Sequence, residues 1–117
     1  AAAGGLFRAT HGKDDSGAPA AWAPYALEFV GTFLLCVTVA TAAAAGGAGA
    51  LAPLSIGFML VSQVYANGPT SGAHLNPAVT LGIFLRGRLT GKAEDPKDDF
   101  SPMEAGGYVL SQCVAAL

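Results

Sequence analysis

Few side chains in this sequence could do chemistry, and those that could stand where charge is scarce. No Asp, Glu, Lys or Arg occurs from Phe29 to Leu85. Inside that stretch lies Ser71-Gly72-Ala73-His74-Leu75-Asn76-Pro77-Ala78-Val79-Thr80, and just before it stands one acid, Glu28. Asn76 and Pro77 together write a helix start. The Asn side-chain oxygen can accept a free backbone N–H of the first turn. Proline follows at the first helical position, where its missing N–H costs nothing. The chemistry on offer is hydrogen bonding rather than bond making. No nucleophile stands beside a base, and His11 and His74 are too far apart in the chain to suggest a metal site. The pattern implies no catalytic residue, no metal and no cofactor, so an enzyme is not expected.

The elements that must position these groups are apolar helices. Tyr25 to Ala45 is long enough to cross a bilayer, with Glu28 as its lone acid. The rival reading of this run is a secretory signal peptide, with Arg8 and Lys13 as its basic region. Trp22 and Tyr25 flank the run as interfacial aromatics do. Gly46 to Ala50 is an uncharged connection, and Leu51 to Ala66 is a second apolar run. At about 16 residues it would rise only roughly 24 Å as helix. The chain is expected to fold back inward beyond Gly68-Pro69. Gly57 and Ser62 would permit close helix contact. Ala78 to Leu85 then reads as a half-helix, starting at Asn76 and about 15 Å long, half the thickness of a hydrocarbon core. The simpler reading of Asn76-Pro77 is a turn between two ordinary helices. Ser101-Pro102-Met103-Glu104 is a capping box that opens a third membrane helix toward Leu117. That helix looks unfinished where the sequence stops, as in a fragment.

Composition narrows the class. With 52% hydrophobic and 12% charged residues, disorder and a soluble charged module are excluded. The net charge of −2 leaves no basic patch for nucleic acid. Cys36 and Cys113 lie in apolar segments and read as buried free thiols; a disulfide between them is the other reading. Residues 1–23 read as a disordered tail, and residues 24–117 as the membrane domain. Glu94 to Asp99 reads as a solvated loop segment.

Ser-Gly-Ala-His-Leu-Asn-Pro-Ala-Val-Thr-Leu-Gly resembles the first Asn-Pro-Ala loop of the aquaporin, or major intrinsic protein, family. Ala26-Leu27-Glu28-Phe29 is similar to that family's first transmembrane helix, and Gln112-Cys113 to its third. The resemblance implies an all-α, multi-pass integral membrane protein with an aquaporin-like bundle. This chain would be one inverted repeat of it: two full spans, a re-entrant half-helix and the start of a third span. It further implies a channel for water, and for small neutral solutes such as glycerol, that is a homotetramer in membrane lipid when full length. By the same resemblance Asn76, Pro77 and Ala78 mark the pore, and the carbonyls of Gly72, Ala73 and His74 line it. Ile56 falls at the selectivity filter, and Leu60 at the pore wall. Glu28 is either a buried acceptor that supports the loop or a side chain snorkelling to the interface. His74 is either a structural histidine or a proton-relay group. The alternative function is a non-conducting, truncated membrane protein that acts as a scaffold or binds full-length channels.

Arg86, Arg88, Lys92 and Lys97 cluster after the half-helix, and Arg8 and Lys13 lie in the tail. Lys/Arg bias sets orientation, so both segments are expected in the cytoplasm. Cysteines introduced singly by Ala9→Cys and Ala93→Cys, in a background lacking Cys36 and Cys113, should resist an impermeant thiol reagent in intact cells. Labelling of either from outside refutes this topology.

Overall fold

The computed structural model describes residues 20–44, 46–90 and 101–117. These form four α-helices and no strand. Helix α1 is Ala23–Ala43, α2 is Ala52–Ser71, α3 is Pro77–Thr90 and α4 is Pro102–Ala115. Each helix has a proline in its first turn, where no intrahelical donor is lost. A single 3₁₀ turn, Gly49–Leu51, leads from the Gly46 bend (φ 81°) into α2. Helix α1 packs against α2 and α4, and α3 packs against α4.

Ala23–Ala43 and Gly49–Ser71 are long and apolar enough to cross a membrane. Helices α3 and α4 hold 14 residues each. At roughly 21 Å of rise they fall short of a hydrocarbon core of about 30 Å.

The packing is inside-out by the standard of a water-soluble protein. Buried side chains include Glu28, Thr32, Asn67, Ser71, His74, Thr80 and Gln112. The buried apolar residues are mostly alanines, joined by Leu75 and Tyr108. Large apolar residues face outward instead, among them Phe29 and Phe33 on α1 and Leu54, Phe58 and Val61 on α2. Such a surface suits lipid or further protein. In that surrounding, polar groups gain by turning inward to one another.

Several expectations need correction. Helix α2 does not stop at Ala66; it continues through Gly68 and Pro69 to Ser71. Pro69 removes one N–H in the last turn and leaves the rest of the ladder standing. The helix ends at Gly72 (φ 83°), whose N–H returns to the Gly68 carbonyl at 3.0 Å. Helix α3 likewise runs past Leu85 to Thr90. Arg86 and Arg88 are good helix formers, and cations favour a helix C-terminus. The Arg88 guanidinium also lies 5.2 Å from the ring of Phe84, one turn back. Cys36 is half-buried and Cys113 exposed, and both are free thiols. Tyr25 is no simple interfacial anchor: its ring meets Tyr108 edge-on at 5.6 Å. Trp22 is exposed at the head of α1. The start and end of α1 differ from the expected run by two residues. The tail to residue 19 and the segment Glu94 to Asp99 lie outside the described residues.

Gly57 and Ser62 are exposed, so they are not the close-contact residues. Gly107 is one: a Cβ there would lie 2.6 Å from the Tyr25 ring, whereas one at Gly57 meets nothing within 4 Å. The same substitution should therefore have opposite signs at the two positions. In the 117-residue chain in detergent, Gly107→Ala should destabilise by about 1–3 kcal/mol through overpacking. Gly57→Ala should stabilise by about 0.5–1 kcal/mol through helix propensity. Thermal unfolding midpoints check both, and a shift of equal sign would contradict the packing.

Candidate functional site

The loop Gly72 to Asn76 joins α2 to α3, and Glu28 lies beneath it, 0% exposed. Its Oε1 accepts from Ser71 Oγ at 2.8 Å and from the His74 N–H at 2.9 Å. Its Oε2 accepts from the Leu75 N–H at 2.6 Å and from Gln112 Nε2 at 2.8 Å. All four partners are donors, the pattern an acceptor-only carboxylate satisfies. Of the two readings of Glu28, the geometry is that of the buried acceptor; its side chain does not reach toward an interface.

The loop backbone is bent to reach the carboxylate. Ala73 (φ 51°) and Leu75 (φ 52°) are left-handed although neither is glycine. Each costs roughly 1–2 kcal/mol. Hydrogen bonds to a charged group, at roughly 1.5–3 kcal/mol each, offset that strain. The Ala73 N–H donates to Ser71 Oγ at 3.0 Å. In a trans peptide the carbonyl of one residue points opposite to the N–H of the next. With the N–H groups of Ala73, His74 and Leu75 turned to Ser71 and Glu28, the carbonyls of Gly72, Ala73 and His74 point away from the buried clamp.

Asn76 closes the loop. Its Oδ1 accepts from the Ala78 N–H at 2.8 Å, the N-cap bond of α3, and its carbonyl accepts from the Thr80 N–H at 3.0 Å. Asn76 is exposed, Pro77 half-buried and Ala78 exposed. The side-chain amide N–H groups of Asn76 meet no acceptor among the described residues.

The far side of the loop is held by α4. Gln112, fully buried, spends both amide hydrogens: one on Glu28, the other on Thr80 Oγ1 at 2.9 Å. Tyr108, one turn earlier, donates its hydroxyl to the Ser71 carbonyl at 2.9 Å. That carbonyl ends α2 and lacks a helical partner. His74 is buried, its Nδ1 lies 3.2 Å from Thr80 Oγ1, and its ring meets Tyr108 edge-on at 5.3 Å. Helix α4 itself begins at a complete capping box, with Ser101 N–H on Glu104 Oε2 at 2.7 Å and Glu104 N–H on Ser101 Oγ at 3.2 Å.

The structure thus brings together Glu28, Gly72, Ala73, His74 and Asn76 around one loop. Ile56 and Leu60 stand apart from this network, one turn from each other on α2, Ile56 half-buried and Leu60 exposed. The sequence reading missed Ser71, Thr80 and Tyr108. The signal for Tyr108 was its spacing from Gln112, four residues along one face of α4.

An all-α membrane protein with two helices joined by a clamped polar loop is the class that this fold and site define. The profile described as Major intrinsic protein matches residues 28–117, and the chain belongs to that family. It is 33% identical to Aquaporin PIP2-7 of Arabidopsis thaliana over 92% of this chain and 42% of that protein. It is 32% identical to Glycerol uptake facilitator protein-like 6 of Lactiplantibacillus plantarum over 80% of this chain and 38% of the relative. With Aquaporin Z of Photorhabdus laumondii it shares 34% identity over 79% of its length and 38% of the relative's. The chain therefore spans about two fifths of the length of these curated relatives. No solved structure matches it. The family consists of channels, not enzymes, and its members are integral membrane proteins.

Glu28→Leu removes every acceptor and leaves the His74 and Leu75 N–H groups unpaired, at about 1–3 kcal/mol each. It should abolish the yield of monodisperse, detergent-extracted protein. Glu28→Gln keeps one acceptor oxygen and should give an intermediate yield and thermal midpoint. Wild-type behaviour of the Leu variant would remove Glu28 from its role in holding the loop.

Proposed function

We propose that this chain is the N-terminal repeat of a multi-pass membrane channel that passes water and small neutral solutes of the glycerol class. The observation that carries the reading is the loop clamped by Glu28 and ending on an exposed Asn76 at the head of α3. Family membership and the names of the relatives support the same reading.

The residues of the loop divide the work. The carbonyls of Gly72, Ala73 and His74, facing away from the clamp, offer a file of acceptors to passing solute. The Asn76 amide then offers donors. The N-terminal end of α3 beside it carries the positive end of the helix dipole and disfavours cations. Arg86 lies ten residues beyond Asn76 in the sequence. With Arg86 at the membrane surface, Asn76 is roughly 15 Å deep, near the middle of the hydrocarbon core. Pro77 and Ala78 fix the direction of the helix start. Ile56 forms one side of the filter and Leu60 part of the pore wall. An aliphatic side chain at Ile56 leaves more room than an aromatic one, which favours passage of a small polyol beside water.

A complete pore needs a second, inverted half-helix to meet this one. The assembled channel is proposed as a homotetramer in membrane lipid, with residues 1–23 and the segment after α3 on the cytoplasmic side. Proteoliposomes test the reading. The complete channel should swell rapidly in an osmotic gradient and admit glycerol, while vesicles holding only the 117 residues should match protein-free controls. Rapid flux through the 117 residues alone, or none through the complete channel, overturns it.

A further inference from the structure

Gly31 lies on α1, three residues after Glu28, and is buried. A Cβ at this position would lie 2.5 Å from Leu75 Cδ2, 2.8 Å from Asn67 Nδ2 and 3.3 Å from Gln63 Oε1. Two of these contacts are closer than real Cβ atoms come. None of the three neighbours is free to retreat without consequence. Asn67 is 5% exposed and donates Nδ2 to Gln63 Oε1 at 2.9 Å. Leu75 is 3% exposed, and its backbone N–H is tied to Glu28 Oε2 at 2.6 Å. Leu75 is also left-handed, at φ 52°, so its backbone has few other conformations to adopt.

We infer that Gly31 is a positioning residue for the start of α3: the absent side chain is the seat of Leu75, and seating Leu75 places Asn76. Glu28 fixes the loop by its N–H groups, and Gly31 fixes it by shape. The two act on the same residue from one helix, so Leu75 can satisfy the carboxylate only while its side chain lies against bare backbone. A methyl group at position 31 occupies the place of Leu75 Cδ2, so the residue whose N–H is held by Glu28 must shift. Asn76, the next residue, moves with it. The consequence for permeation rests on the channel reading above; the packing itself does not.

The test is a double-mutant cycle in the complete channel with Gly31→Ala, Leu75→Ala and both together. Two readouts are taken: thermal midpoint in detergent, and water and glycerol permeability per reconstituted protein. Gly31→Ala should lower the midpoint and reduce water permeability several-fold, with a changed water-to-glycerol ratio that loss of folded protein alone would not produce. In the Leu75→Ala background the same substitution should cost clearly less in both readouts, because the closest collision is gone and only the contacts with Asn67 and Gln63 remain. If Gly31→Ala does not fold, recovery of folded protein in the double variant supports the inference, and failure of both overturns it. Additive effects, or wild-type behaviour of Gly31→Ala, also overturn it. A complete channel that conducts nothing would sink the channel reading alone, and the thermal cycle would still decide whether position 31 acts through Leu75.

Discussion

One carboxylate makes the loop between α2 and α3 tolerable. Past Gly72, whose N–H still returns to the Gly68 carbonyl, the backbone N–H groups of Ala73, His74 and Leu75 lack helical partners before the chain enters α3 at Pro77. In a protein surrounded by lipid no water is at hand to take them. Glu28 answers with four accepted hydrogen bonds, two of them from consecutive backbone N–H groups. Burying a charge is expensive, and it is sustained only because both oxygens are fully engaged. The left-handed conformations of Ala73 and Leu75 follow from the same demand, since they turn the N–H groups of His74 and Leu75 to one side.

That demand organises the packing of the other helices. Helix α4 supplies Gln112 between Glu28 and Thr80, and Tyr108 on the Ser71 carbonyl. The first turn of α3, through Thr80, is thereby tied to α1 through a single amide side chain. Small residues allow the approach: Gly31 under Leu75, and Gly107 under the Tyr25 ring. The interior is a hydrogen-bonded polar network with few large apolar side chains, and the apolar bulk is turned outward. A soluble domain of this size would do the reverse.

The polar clamp and the outer surface of the loop are two faces of the same peptide groups. Because each carbonyl opposes the next N–H, satisfying the N–H groups inside aims the acceptors of Gly72, Ala73 and His74 outside. The support of the loop and its presentation of acceptors are therefore not independent features. A change that released the Leu75 N–H from Glu28 would also turn the His74 carbonyl.

The sequence by itself determined the helical class, the N-cap at Asn76 and the capping box at Ser101. These depend on neighbouring residues, and local backbone chemistry decides them. It marked Glu28 as exceptional, because an acid beside a long uncharged stretch needs donors. It could not name all of those donors. Ser71 and Gln112 are far from Glu28 in the chain, and only the packing of three helices brings them to one carboxylate. Helix ends were misjudged where two local signals compete: Pro69 and the charge at Arg86 both suggested a stop, yet α2 and α3 pass through them. Their placement near helix ends makes each tolerable. The choice between Gly57 and Gly31 as the close-contact glycine was likewise closed to the sequence. Both lie in apolar helices, and only tertiary packing decides which face of each helix meets a neighbour.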